Sequence, residues 1–85
     1  MNWEIRLAKR VKKQIIGIPA KDREAVLFAL RDMQADPFFG DIKWLKNQPY
    51  TLRRRVGVWR ILFDIDREGK IILVGDIVRR SDNTY

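Results

Sequence analysis

The basic side chains of this protein are bunched. Arg53, Arg54, Arg55 and Arg60 fall within one short stretch, Lys43 and Lys46 precede them, and Arg79 and Arg80 stand side by side before a polar end that closes on Tyr85. A guanidinium is planar, keeps its charge near neutrality and can hold two phosphate oxygens at once, so a surface carrying several of them suits an anionic ligand. Composition removes other chemistries. The chain has no Cys and no His, which excludes disulfides, thiolate nucleophiles, imidazole acid–base catalysis and the usual Cys/His zinc sites. Asp64 and Asp66 have a spacing that could bind magnesium, but few acids stand near them and they read as a solvated pair before a turn. No metal or other cofactor is expected.

What brings the arginines onto one surface is a hairpin. Residues 51–56, 59–66 and 70–78 read as three β segments, separated by Gly57-Val58 and by a turn ending near Gly69. A two-residue turn at Gly57-Val58 sets Val56 opposite Trp59 and Arg55 opposite Arg60, with Arg53 two residues along on the same side. Leu52, Val56, Trp59, Ile61, Phe63 and Ile65 then share the other side, which is expected to meet the helices. Directly opposed like charges destabilise a sheet by about 0.2–1 kcal/mol per pair, and an anionic ligand would favour them. The same arginines could instead keep a sheet face wet, paired with Asp64 or with acids of the tail. Arg54 has the parity of the apolar side. Either its aliphatic stem lies along the edge of the core with its head in water, or a bulge resets the register.

The N-terminal half supplies the layer that packs on this sheet. Over residues 2–7, Trp3, Ile5 and Leu7 alternate with Asn2, Glu4 and Arg6, the period of a half-buried strand. Ala8, Val11, Ile15 and Ile16 then recur at three and four residues with Lys9, Arg10, Lys12 and Lys13 opposite them, which predicts an amphipathic helix over 8–17, ended near Gly17 and Pro19. A second helix is predicted over 21–34, with Val26, Leu27, Leu30 and Met33 on its apolar face and Asp22 and Glu24 near its positive end. Asp36-Pro37 stops it.

Residues 38–49 contain Gly40, Asn47 and Pro49 and read as a connecting loop anchored by Phe38, Phe39, Trp44 and Leu45. Trp3, Trp44 and Trp59 have faces that could stack on RNA bases, but strand and loop-anchor positions assign all three to the core. The resulting order is β-α-α-β-β-β: an α+β domain with two N-terminal helices packed on a mostly antiparallel sheet, residues 1–85 forming a single domain.

The net charge of +7 is unevenly placed: residues 42–85 carry ten Lys/Arg against five Asp/Glu, and residues 1–41 carry eight against six. A positive field concentrated in the C-terminal half attracts polyanions, so nucleic acid or an acidic protein is the expected partner. The apolar runs at 61–63 and 71–74 are far shorter than the roughly 20 residues of a membrane span. Charged residues also interrupt any apolar core of a signal peptide, and a cytoplasmic protein with no membrane partner is expected.

Taken with Asp36-Pro37 after a helix, the runs IKWLK (42–46), RVGVWRILFDID (55–66) and RRSDNTY (79–85) make the chain similar to the RelE/ParE superfamily of bacterial and archaeal toxins over nearly its whole length. The resemblance implies the same β-α-α-β-β-β order and a toxin encoded beside an antitoxin, forming a toxin–antitoxin hetero-oligomer with it. RelE-type members of that family enter the ribosomal A site and cut messenger RNA, so ribosome and mRNA are implied as further partners. It also implies metal-independent endoribonuclease chemistry. Arg55 and Arg60 would clamp the scissile phosphate, Tyr85 would assist removal of the 2′-hydroxyl proton, and Arg79 or Arg80 would serve the leaving oxygen. Arg53, Arg54, Lys43 and Lys46 would hold the RNA backbone. This chain departs from the family in having arginine where the best-known members have lysine on the strands, in Arg54, and in a longer interval from Arg80 to Tyr85. ParE-type relatives, which act on DNA gyrase, share the Arg-Val-Gly-x-x-Arg signature, and a decayed toxin that only binds its antitoxin would keep the same basic surface.

Overall fold

The computed structural model describes residues 2–79. The chain runs β1 (Glu4–Leu7), α1 (Lys9–Gly17), α2 (Ala20–Ala35), β2 (Ile42–Trp44), β3 (Leu52–Val56), β4 (Trp59–Asp66) and β5 (Ile71–Arg79). The strands form one sheet in the order β1-β5-β4-β3-β2, antiparallel throughout except where β1 joins β5 in parallel. The α+β class and the helix-on-sheet layering expected from periodicity hold. The expected strand count does not, because Ile42–Trp44 pairs antiparallel with β3 inside the segment read as a loop. Three residues are too few to display a period of two, so pairing alone creates this strand.

Each helix contributes one stripe to the core. In α1 the buried residues are Val11 and Ile15, whereas Ile16 is 75% exposed and falls outside the face assigned to it. The helix ends where the Ile18 N–H donates to the Ile15 carbonyl, and Pro19 begins the next one. In α2 the buried stripe is Val26, Ala29, Leu30 and Met33, a spacing of three, one and three; Leu27, expected on it, is partly exposed. These side chains meet Leu52, Ile61, Phe63, Ile72, Val74 and Ile77 from the inner face of the sheet, with Trp3, Ile5, Val56, Trp59 and Ile65 packed around them. Neither helix is long and apolar enough to cross a membrane.

Two backbone details set what the sheet presents. The β3–β4 turn has positive φ at Gly57 (+59°) and not at Val58, the pattern of a II′ turn, which keeps the ladder in register from Val56↔Trp59 to Leu52↔Phe63. The irregularity lies instead between β4 and β5, where Leu62 pairs with Asp76 but Phe63 pairs with Val74, leaving Gly75 as the extra residue of a bulge. A Cβ at Gly75 would lie 2.1 Å from the Tyr50 ring, and the Tyr50 hydroxyl donates to the Gly75 carbonyl at 3.2 Å. Only glycine lets that ring lie so close to the bulge.

Candidate nucleic-acid interface

The uninterrupted β3–β4 register decides which arginines meet. Arg55 is paired directly with Arg60, and Arg53 with Leu62. Alternation along the strands puts Arg53, Arg55 and Arg60 on the face away from the helices, because Leu52, Ile61 and Phe63 occupy the inner face. Lys43 pairs with Arg53 and so joins the same face, exposed at its edge. Lys46 is exposed in the loop that follows β2. Leu62, on the same side of the sheet as these arginines and opposite the helix-packed core, is fully buried.

The three arginines of this face are held differently. Arg53 is tied down, its Nη1 donating to both the backbone oxygen and Oδ1 of Asp41 at 3.1 Å, with 13% of the side chain exposed. The Asp41 carbonyl also accepts the Arg55 N–H at 3.0 Å, so this one residue braces both arginine positions. The Arg53 hydrogen bond holds the Asp41 carboxyl below the usual carboxylate range, with the charges of Arg53, Arg55 and Arg54 adding to it against a burial effect of opposite sign. Arg55 is half-buried, and among the described residues its guanidinium enters no hydrogen bond or ion pair. Arg60 is half-buried directly across from it. Asp64, the acid expected to neutralise such a face, turns elsewhere: its Oδ1 accepts the Thr51 N–H at 2.8 Å and the Thr51 hydroxyl at 2.5 Å.

Asp41 carried no signal in the sequence. It lies just before a strand that only pairing reveals, and its approach to Arg53 follows from that pairing. Tyr50 was equally silent. Its ring and hydroxyl close over the Gly75 bulge and line, with Arg6, Leu7, Ala8, Asp64, Leu73, Val74 and Gly75, a groove of about 250 Å³.

Arg54 and Arg79 are not brought to the open face. Arg54 keeps the inner parity of its neighbours Leu52 and Val56, with 11% of its side chain exposed. Its Nη1 donates to the Phe39 carbonyl at 3.1 Å and its Nη2 lies 3.8 Å from Asp32 Oδ2 on α2. Of the two outcomes open to Arg54, a stem along the core edge is the one realised, but its head meets a carbonyl and a carboxylate in place of bulk water. Arg79 pairs with Trp59, and its guanidinium lies 5.5 Å from the centre of the Trp59 ring, on the helix side. The Trp59 indole N–H donates to Asp22 Oδ2 at 3.0 Å, fixing that ring to the first turn of α2. Arg80 and Tyr85 lie outside the described residues.

A cluster of partly buried positive charges on the sheet face away from the helices, with Asp41 the carboxylate brace among the described residues, can bind the backbone of a polyanion and stabilise added negative charge on it. The topology that presents it, two helices on a sheet of order β1-β5-β4-β3-β2, is that of the RelE toxins. No family model and no curated protein sequence matches the chain. Among solved structures, the RelE–RelB complex of Pyrococcus horikoshii superposes with a TM-score of 0.82 at 18% identity, covering 96% of this chain and 99% of that one. The toxin–antitoxin complex RelBE2 of Mycobacterium tuberculosis gives 0.80 at 23% identity, covering 94% and 100%. A variant of the E. coli toxin RelE in its free state gives 0.73 at 15% identity, covering 99% and 88%. At these identities what is shared is the fold.

Proposed function

We propose that this protein is the toxin of a toxin–antitoxin pair, a metal-independent endoribonuclease that cuts messenger RNA on the ribosome in the cytoplasm and is restrained by a cognate antitoxin. The observation that carries the reading is Arg55 set directly against Arg60 on the open sheet face, within a RelE-like fold. Opposed guanidiniums weaken a bare sheet and are relieved by a phosphate placed between them.

RNA brings its own nucleophile. The 2′-oxygen loses its proton, forms a bond to the adjacent phosphorus, and the bond from phosphorus to the 5′-oxygen breaks, leaving a 2′,3′-cyclic phosphate and a 5′-hydroxyl. Alignment and charge stabilisation are enough to accelerate this step greatly. Arg55 and Arg60 clamp the scissile phosphate, and Arg53 and Lys43 hold the neighbouring backbone, with Lys46 at its edge. Tyr85 takes the 2′-hydroxyl proton, a task for which a phenol with an ordinary pKa of about 10 needs positive charge near it at neutral pH. Arg80 serves the leaving oxygen; Arg79, which stacks on Trp59 on the other side of the sheet, is less suited to that part. Arg54 supports the strand from behind.

The test is induction of the wild-type chain and of Arg60→Ala and Tyr85→Phe, with cut sites mapped by primer extension on translated messenger. Wild-type cleavage, abolished in the variants, is expected. Unchanged cleavage in both variants, or inhibition of gyrase supercoiling without any messenger cleavage, overturns the assignment.

A further inference from the structure

The open arginine face is not the only surface with chemistry. At the far end of β3 from the Gly57-Val58 turn, Trp44 pairs with Leu52 and therefore lies on the helix side of the edge strand β2. Phe38, held by donation of its N–H to Asp36 Oδ1 at 2.9 Å, packs against the Trp44 ring with centroids 6.3 Å apart and planes 24° from parallel. The edge of Trp3 meets the same phenyl ring at 6.5 Å and 86°, and the Arg67 guanidinium lies 5.1 Å from its centre. This column is not sealed: Trp44 is 53% exposed and Phe39, next along the chain, 63%. Trp44 was expected in the core and is not there.

Exposed aromatic rings supported by a stacked cation, with exposed Lys43 and Lys46 on either side of Trp44 in the chain, are matched by a flat ring joined to an anionic backbone. An apolar protein segment would match the rings but leave those cations without counterparts. We infer that Trp44, backed by Phe38 and Arg67, stacks a base of single-stranded nucleic acid on the helix side of the edge strand β2, while Lys46 in the following loop and Lys43 on the other face of the same strand meet its phosphates. The Trp44 ring lies on the opposite side of the sheet from Arg55 and Arg60, so a bound strand rounds the β2 edge to reach Lys43 on the other face, and the ring stands about 13 Å along β3 from the hairpin turn at roughly 3.3 Å per residue. It does not depend on the chain being a nuclease.

The experiment uses the full chain and a fluorescein-labelled 2′-O-methyl oligoadenylate, which has no free 2′-hydroxyl and cannot be cleaved by attack from it. Affinity is read by anisotropy across a salt series, and tryptophan emission is followed in parallel. Trp44→Leu, which keeps apolar contact with Phe38 but has no aromatic face, is expected to weaken binding about tenfold with the salt slope unchanged. Trp44→Phe should retain most of the affinity while losing the quenching of emission that binding produces in the wild-type chain. Lys43→Ala with Lys46→Ala should instead flatten the salt slope. Unquenched wild-type emission at saturation overturns the inference, as does wild-type affinity in Trp44→Leu. So does a Trp44→Leu variant that binds the oligonucleotide normally but loses self-association or a protein partner. Failure of messenger cleavage bears on the nuclease reading alone.

Discussion

Arg54 and Arg55 are adjacent in the chain and stand in opposite worlds. Arg54 faces inward, nearly covered, with a carbonyl and a carboxylate within reach and the Gly40 backbone pressed against its guanidinium. Arg55 faces outward, opposite another arginine and beside the brace of Asp41. The same side chain therefore contributes to the fold at one position and tends to oppose it at the next. Strand parity makes the difference, and it separates residues kept for stability from residues available to a ligand.

The largest expected effect breaks the comparison from the outer side. Arg55→Ala or Arg60→Ala should lower messenger cleavage by about 100-fold or more, as removal of a charge-stabilising group does elsewhere. Thermal stability of Arg55→Ala should be unchanged or slightly higher, because a like-charge pair worth about 0.2–1 kcal/mol of repulsion is removed. A melting temperature of Arg55→Ala that falls with activity would place Arg55 with Arg54 as a structural residue.

On the inner side, Gly40→Ala should destabilise the chain by about 1–3 kcal/mol in urea titrations, since φ there is +96° and the added Cβ would stand 2.6 Å from Arg54 Cζ. Arg54→Ala should cost about 1–2 kcal/mol through lost packing and two unsatisfied partners, with cleavage retained. In the double variant the steric part of the Gly40→Ala loss should disappear while the backbone part stays, so the two losses should not add.

The smallest effect concerns the brace. The folded carboxyl of Asp41 titrates below its unfolded value, so the stability it contributes is present above the unfolded value and is lost as pH falls through the folded one. Melting temperatures of wild type and Asp41→Asn should accordingly differ at neutral pH and converge in acid, and the difference should shrink in high salt because the carboxylate is exposed. A gap that persists at low pH would mean that Asp41 acts through its backbone carbonyl alone.

Much of this was legible in advance. The alternation of 2–7 and of the 51–66 hairpin, the three-and-four spacing around Val11, Ile15, Val26, Leu30 and Met33, and Gly57 at the turn are local signals, and each names an element and its buried side. The Arg55–Arg60 pairing followed from one turn and simple counting. What stayed hidden depends on contacts between distant segments. Strand β2 exists because β3 offers it an edge, Gly75 is a bulge because Tyr50 occupies the space beside it, and Ile16 and Trp44 are exposed because no element covers their side.

The sequence by itself determined the two helices, the order of the four strands other than β2, and the inner and outer parity of the 51–66 hairpin and hence which of its arginines share a face, since these follow from periods of two and 3.6 residues. Tertiary structure alone decided that Arg54 would find Asp32, that Arg53 would be held by Asp41, and that Arg79 would lie over Trp59 away from the basic face. A guanidinium on a long, flexible stem can settle toward any acceptor or ring within its reach, and only the packed chain fixes which ones those are.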